Sequence, residues 1–162
     1  YLFEMGQRNI GFVGTVLATS SITDRYFGYS KSLLEHGVKQ REDWILDDRD
    51  SITKDLKIEL PEELPSAFVC NCDRAAYELM RNLVKKGYRI PEDVSVVGFD
   101  NYYTPVVSDV DVPLTTYEVD MKEMARMSIH IMLKKLHKEH YKSGITMVQG
   151  RVVLRESVKK LN

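Results

Sequence analysis

Two aspartates, Asp73 and Asp100, each lie just beyond or at the end of a short apolar run, within the thirty-one residues Cys70 to Asp100 of this 162-residue chain. Carboxylates at the ends of buried strands are acceptors for a polar ligand. Asp73 also stands where a helix N-cap belongs, and that role alone accounts for it. Asp100 has its own local alternative, an aspartate that starts a loop by bonding its backbone. Directly before Asp73 lies a thiol, Cys72. A nucleophilic cysteine needs a histidine base. The histidines, His36, His130, His137 and His140, fall in or near helical segments and match no such motif, so an inert, partly buried thiol is expected. His137 and His140 have the spacing of paired metal ligands but lack companions, as at a solvated helix end. Cys70 and Cys72 are too close for a scaffold disulfide and too few for a four-ligand zinc site. No catalytic residue, cofactor or metal is expected.

These groups are positioned by a strand–helix–strand unit. Ala67 to Cys70 is a buried-strand run. Ala76, Leu79, Met80, Leu83 and Val84 follow at helical spacing, Gly87 supplies the stop, and Pro91 prevents resumption. The strand from Val94 ends at Gly98-Phe99-Asp100. Upstream, Asn9 to Gly14 reads as a strand, and Ser20-Ser21 opens a helix closed by His36-Gly37. Trp44-Ile45-Leu46 reads as a second strand, with Trp44 as packing. A weaker helix is expected over Ser51 to Glu59. A loop through Pro105 and Pro113 leads to a strand at Leu114 to Tyr117. An amphipathic helix from Met121 to about Lys138 uses Met124, Met127, Ile131, Leu133 and Leu136, and a strand or hairpin lies within Met147 to Leu154. The alternation predicts an α/β fold of three layers, a doubly wound and mostly parallel sheet, with the loops after Gly14, Asp47, Cys70 and Asp100 on one rim.

The charge is nearly balanced, 23 Lys plus Arg against 24 Asp plus Glu. A nucleic-acid surface usually carries a basic excess. No apolar run is long enough for a membrane span, the start lacks a secretion signal, and a reducing cytoplasm is expected. Tyr1 to Gly6 reads as the last turns of a helix, as in a piece cut from a longer chain.

The run Gly87-Tyr88-Arg89-Ile90-Pro91-Glu92-Asp93-Val94-Ser95-Val96-Val97-Gly98-Phe99-Asp100 resembles the signature of the lactose/galactose repressor (LacI/GalR) family of transcription regulators, in the part that folds like periplasmic sugar-binding proteins. Arg25-Tyr26-Phe27-Gly28-Tyr29 is similar to the family's Arg-x-x-Gly-aromatic motif. The resemblance implies that Arg25 projects from the first helix and binds ligand hydroxyls, a task its planar fork of donors suits; without it, Arg25 would be an exposed helix arginine. It implies that Asp100 accepts from ligand hydroxyls, and that Asp73 belongs to the family's Asn-Asp pair. It places Cys72 where the family has a ligand-facing asparagine. That departure puts a hexose-like ligand in doubt, and the adjacent Asn71 points to the other side of an extended chain. Arg49 falls near a family ligand-stacking position, and with Arg25 it would favour an acidic or phosphorylated effector.

By the same resemblance, residues 1–116 are the C-terminal lobe of an effector-binding core. Residues 117–142 are the crossover and a helix of the N-terminal lobe, and 143–162 are a returning strand and tail. That helix would lack its partner here and would dock differently or be covered by a second copy. The expected function is the effector-binding and dimerisation region of a regulator that touches DNA only through an upstream helix-turn-helix. A solute-binding protein of a sugar transporter shares the fold. An α/β enzyme lacks support from any nucleophile elbow, phosphate loop or metal triad.

Overall fold

The computed structural model describes residues 1–102 and 110–161. Six strands form one sheet: β1 (Ile10–Val13), β2 (Ile45–Leu46), β3 (Ala67–Cys70), β4 (Ser95–Asp100), β5 (Thr115–Glu118) and β6 (Arg151–Val153). Their order is β2-β1-β3-β4-β5-β6. The pairings from β2 through β5 are parallel, and β6 runs antiparallel to β5. Helix α1 (Ser20–Glu35) carries the chain from β1 outward to β2, and α2 (Asp73–Lys85) carries it from β3 the other way to β4. Right-handed crossovers in opposite directions place the two helices on opposite faces. The result is the expected three-layer, doubly wound sheet, with its switch point between β1 and β3.

Strand alternation divides the core between the faces. Ile10, Phe12 and Ala67 meet Tyr29 and Leu33 of α1. Val13, Phe68, Cys70 and Val96 meet Ala75, Ala76, Leu79, Met80 and Leu83 of α2. Leu79, Met80 and Leu83 are fully buried, each contributing roughly 1.5–3 kcal/mol of apolar burial. Glycines end both helices as expected. Gly37 and Gly87 have φ of 65° and 88°, and the following amides, Val38 and Tyr88, reach back to Leu33 and Leu83 at 2.9 and 3.1 Å. Gly6, at φ 80°, closes the turn over Tyr1–Met5 in the same way, with the Gln7 amide on the Leu2 carbonyl at 3.0 Å. That is a helix-terminating motif.

Two expected elements differ. Trp44 belongs to a 3₁₀ turn, Glu42–Trp44, rather than to the strand; it is buried, and its indole donates to the Glu63 carbonyl at 3.0 Å. No helix forms over 51–59. The Asp50 carboxylate accepts from the amides of Ile52 and Thr53 at 2.8 and 3.0 Å, Lys54 has φ 61°, and Arg49 bridges Leu56 antiparallel. A side chain that captures nearby amides offers the backbone a turn instead of a helix. The part of the expected loop around Pro105 lies outside the described residues.

Helix α3 (Met121–Leu136) is capped by Asp120, which accepts from the Glu123 amide at 2.9 Å. None of its residues is buried, and Met124, Ile129, Met132, Leu133 and Leu136 are exposed. Beyond β6 the chain returns to the starts of β4 and β5. Ser157 Oγ accepts from the Thr115 amide and donates to the Val96 carbonyl, at 2.8 and 2.6 Å.

Candidate functional site

The carboxyl ends of β1 to β4 converge on a rim organised by two buried aspartates. Asp48, just beyond β2, is 1% exposed. One of its oxygens accepts from the backbone N–H and hydroxyl of Thr15, at 2.9 and 2.8 Å, and the other accepts from Asn71 Nδ2 at 3.0 Å. Asp48 thus ties together the exits of β1, β2 and β3.

Asp73 does the corresponding work for β4 and β5. The N-cap of α2 is Cys72, and Asp73 is the first helical residue, so its expected capping role is not what the structure shows. Its carboxylate accepts from the Thr116 hydroxyl at 2.5 Å and the Tyr102 amide at 2.7 Å. Burial pushes the Asp73 carboxyl above the usual carboxylate range, and these two donors hold it back. A Cβ at Gly98 would strike this carboxylate, which explains the glycine between Val97 and Phe99.

Arg25 reaches the rim from the second turn of α1, a helix opened by Thr19, whose hydroxyl accepts from the Ile22 amide at 3.2 Å. The Arg25 guanidinium donates to the Asn71 carbonyl at 2.9 Å, stands 3.6 Å from Asp100 Oδ1, and lies 3.9 Å over the Phe99 ring. Phe99 in turn stacks on Tyr117 at 5.2 Å. Arg25 is therefore held on one side by an aromatic face and on two others by acceptors. Asp100 is partly exposed, and burial raises its carboxyl pKa against the opposing pull of Arg25. Its φ is 107°, and that of Asn101 is 52°. Positive φ is a strained setting for non-glycine residues and collects at functional sites. Asn101 is gripped on both sides: its amide nitrogen donates to Glu118 at 3.0 Å, and its oxygen accepts from Arg155 at 2.6 Å.

A cavity of about 270 Å³ opens here, lined by Cys72, Asp73, Arg74, Asp100, Tyr102, Val119 and Met121. Burial raises the Cys72 thiol above its usual range, so the thiol is a poor nucleophile at neutral pH. The Asn71 side chain turns instead toward Asp48 and is buried. The structure thus brings Arg25, Asp100, Cys72 and Asp73 to one corner of the rim. Arg49 is set apart: it pairs with Asp48 at 3.8 Å and lines a separate depression with Asp47, Asp50 and Lys57. Thr15, Asp48 and Asn101 were not singled out from the sequence, and Asn71 entered there only as facing away from the ligand side. Asp48 carried the one available signal, a charged cluster after a predicted strand. Among the described residues, no group of three or more His, Cys, Asp and Glu could hold a metal ion, and no helix is long and apolar enough to cross a membrane.

Comparison with known proteins agrees with this architecture. The periplasmic binding protein-like domain matches residues 1–158. The HTH-type transcriptional repressor PurR of Vibrio atlanticus is 31% identical, over 100% of this chain and 49% of its own length. The chain thus spans about half the length of the curated relatives it matches. Among solved structures, a sugar-binding transcriptional regulator of the LacI family from Escherichia coli, complexed with phosphate, superposes with a TM-score of 0.77 at 22% identity, covering 99% of this chain and 58% of that one. The lac repressor dimer bound to operator and the anti-inducer ONPF gives 0.78 at 22%, covering 98% and 55%. At such identities the likeness is one of fold. With its profile match over nearly its whole length, the chain belongs to the periplasmic binding protein-like domain family, and its relatives are the LacI-type transcription regulators.

Proposed function

We propose that the chain is the effector-binding and dimerisation region of a cytoplasmic LacI-type transcription regulator. It binds a small molecule at the Arg25–Asp100 corner, and DNA is contacted by a helix-turn-helix outside this segment. The observation that carries this reading is the convergence of a guanidinium from α1 and a carboxylate from β4 at the carboxyl rim of the sheet. There Asp100, with Arg25 3.6 Å from it, lines a cavity large enough for part of a small ligand. In this reading residues 1–116 are one lobe, residues 117–142 with α3 belong to a second lobe, and 143–162 return to the first. The exposed apolar residues of α3 are then covered within that second lobe or by a second copy. The ligand is a sugar or an acidic or phosphorylated derivative, because Arg25 supplies a planar cationic donor. Arg25, Asp100 and Cys72 touch it, Asp73 holds the floor, and Arg49 approaches from the neighbouring depression.

Thermal denaturation with D-glucose, D-gluconate, D-glucose 6-phosphate and inorganic phosphate tests the reading. A stabilisation that Arg25→Met abolishes supports it. Stabilisation by none of the probes, or equally in Arg25→Met, counts against the site. Equal stabilisation by glucose and gluconate counts against an acidic ligand.

A further inference from the structure

Asp100 lines the cavity, yet its neighbour Asn101 is the better connected residue. The Asn101 side chain donates one hydrogen bond to, and accepts one from, two chain segments that are adjacent in the sheet but far apart in sequence. Glu118 ends β5, the strand that runs out toward α3. Arg155 follows β6, the strand that brings the chain back. The two segments are clamped to each other as well. Glu118 pairs with Arg151, the Gly150 amide donates to the Tyr117 hydroxyl at 2.9 Å, and Arg155 also donates to the Leu114 carbonyl at 2.6 Å. The outgoing and returning strands therefore move as one ribbon, and Asn101 is fastened to both edges of it.

The backbone at this point is bent sharply. Asp100 and Asn101 are consecutive non-glycine residues with positive φ. Asparagine tolerates that region, but aspartate at φ 107° is held there by its surroundings. Immediately afterward, the Tyr102 amide is fixed by Asp73 at 2.7 Å. Asp100 thus sits between an anchor on the lobe, Asp73, and a grip on the ribbon, Asn101. The dihedrals of residues 100 and 101 are thus the link between ribbon and lobe, and they set the aim of the Asp100 carboxylate toward Arg25.

We propose that Asn101 is a positioning residue that couples the ribbon formed by β5 and β6 to the Asp100 carboxylate. This rests on the reading of Asp100 as a ligand contact and adds how that contact is regulated. Movement of the α3-bearing unit changes the Arg25–Asp100 geometry, and a ligand pulling on Asp100 is felt at the ribbon. Such coupling is reciprocal.

The test is a double-mutant cycle in the 162-residue chain, following the side-chain carboxyl of Asp100 by carbon-detected NMR across a pH titration. Arg155→Met releases one edge of the grip. Asn101→Gly removes both side-chain bonds while keeping the positive φ accessible. The expected result is that Arg155→Met displaces the Asp100 titration midpoint by at least about 0.3 pH unit in the parent, and by less than about 0.1 in Asn101→Gly. Equal displacement in both backgrounds would mean a direct field or a general loosening, and would overturn the coupling. No displacement in either would overturn it too. Should Arg155→Met fail to fold, Glu118→Leu releases the other edge and is read in the same way, since its direct effect on Asp100 cancels in the cycle. Because the probe screen on Arg25→Met is scored independently, failure of the coupling leaves the ligand reading standing, and the reverse also holds.

Discussion

Replacing Thr116 with valine isolates the hydrogen bond that holds the floor of the site. Valine keeps the shape, so the fully buried position is left with no cavity to fill. What is lost is the 2.5 Å donation to Asp73 Oδ1, one of the carboxylate's two donors among the described residues. A hydrogen bond to a charged group contributes about 1.5–3 kcal/mol, and a buried carboxylate deprived of one donor is expected to cost the fold about 2 kcal/mol at neutral pH. The sign of the pH dependence follows from burial. The Asp73 pKa is raised in the folded state, so its contribution to stability is fully present below the unfolded pKa and is lost as pH rises through the folded one. Thr116 opposes that rise, and its removal deepens the loss on the alkaline side. The deficit of Thr116→Val is therefore largest near neutrality and shrinks as the pH falls through the carboxylate range, where protonated Asp73 no longer needs the donor. Urea unfolding of both proteins at pH about 7 and about 4.5, with slopes unchanged, measures it. Equal deficits at the two pH values, or a neutral-pH deficit below about 0.5 kcal/mol, would refute the reasoning.

Native-state alkylation with iodoacetamide should modify Cys72, which lines the cavity, slowly and faster at higher pH, and leave the 1%-exposed Cys70 untouched until urea is added; peptide mass spectrometry distinguishes the two. Leu79→Ala should cost about 2–5 kcal/mol because the side chain is fully buried under the sheet. Ile129→Ser, on the 58%-exposed face of α3, should change stability by less than about 0.5 kcal/mol in this chain; chemical denaturation of the pair checks the contrast.

What could be read in advance divides along physical lines. Helices α1 and α2 were legible because their stops are local: Gly37 and Gly87 adopt positive φ whatever surrounds them. The sheet and its rim followed from the alternation of strands and helices and the handedness of crossovers. The roles of buried polar side chains were not legible. An aspartate at the start of a helix is read as a cap because nothing local shows that Thr116 and Tyr102 will arrive from 43 and 29 residues away. Asp48 was hidden for the same reason, since Thr15 and Asn71 become its partners only once β1, β2 and β3 are in register. The missing helix after Arg49 failed on a different ground: Asp50 took the amides that would have started it. Arg25 and Asp100 were identified by family resemblance, and the structure places them 3.6 Å apart.

The placement of Ser157 has a consequence for the order of events as the chain is made. Its hydroxyl bonds to residues 42 and 61 positions earlier, so β4 and β5 lack those bonds until residue 157 has been made. Long-range pairings of this kind form late. On the ribosome, therefore, α3 (Met121–Leu136) would be complete and free to seek its own partners while β4 and β5 still lacked those bonds. A helix that buries none of its residues in this chain is thus made before the segment that ties β4 to β5.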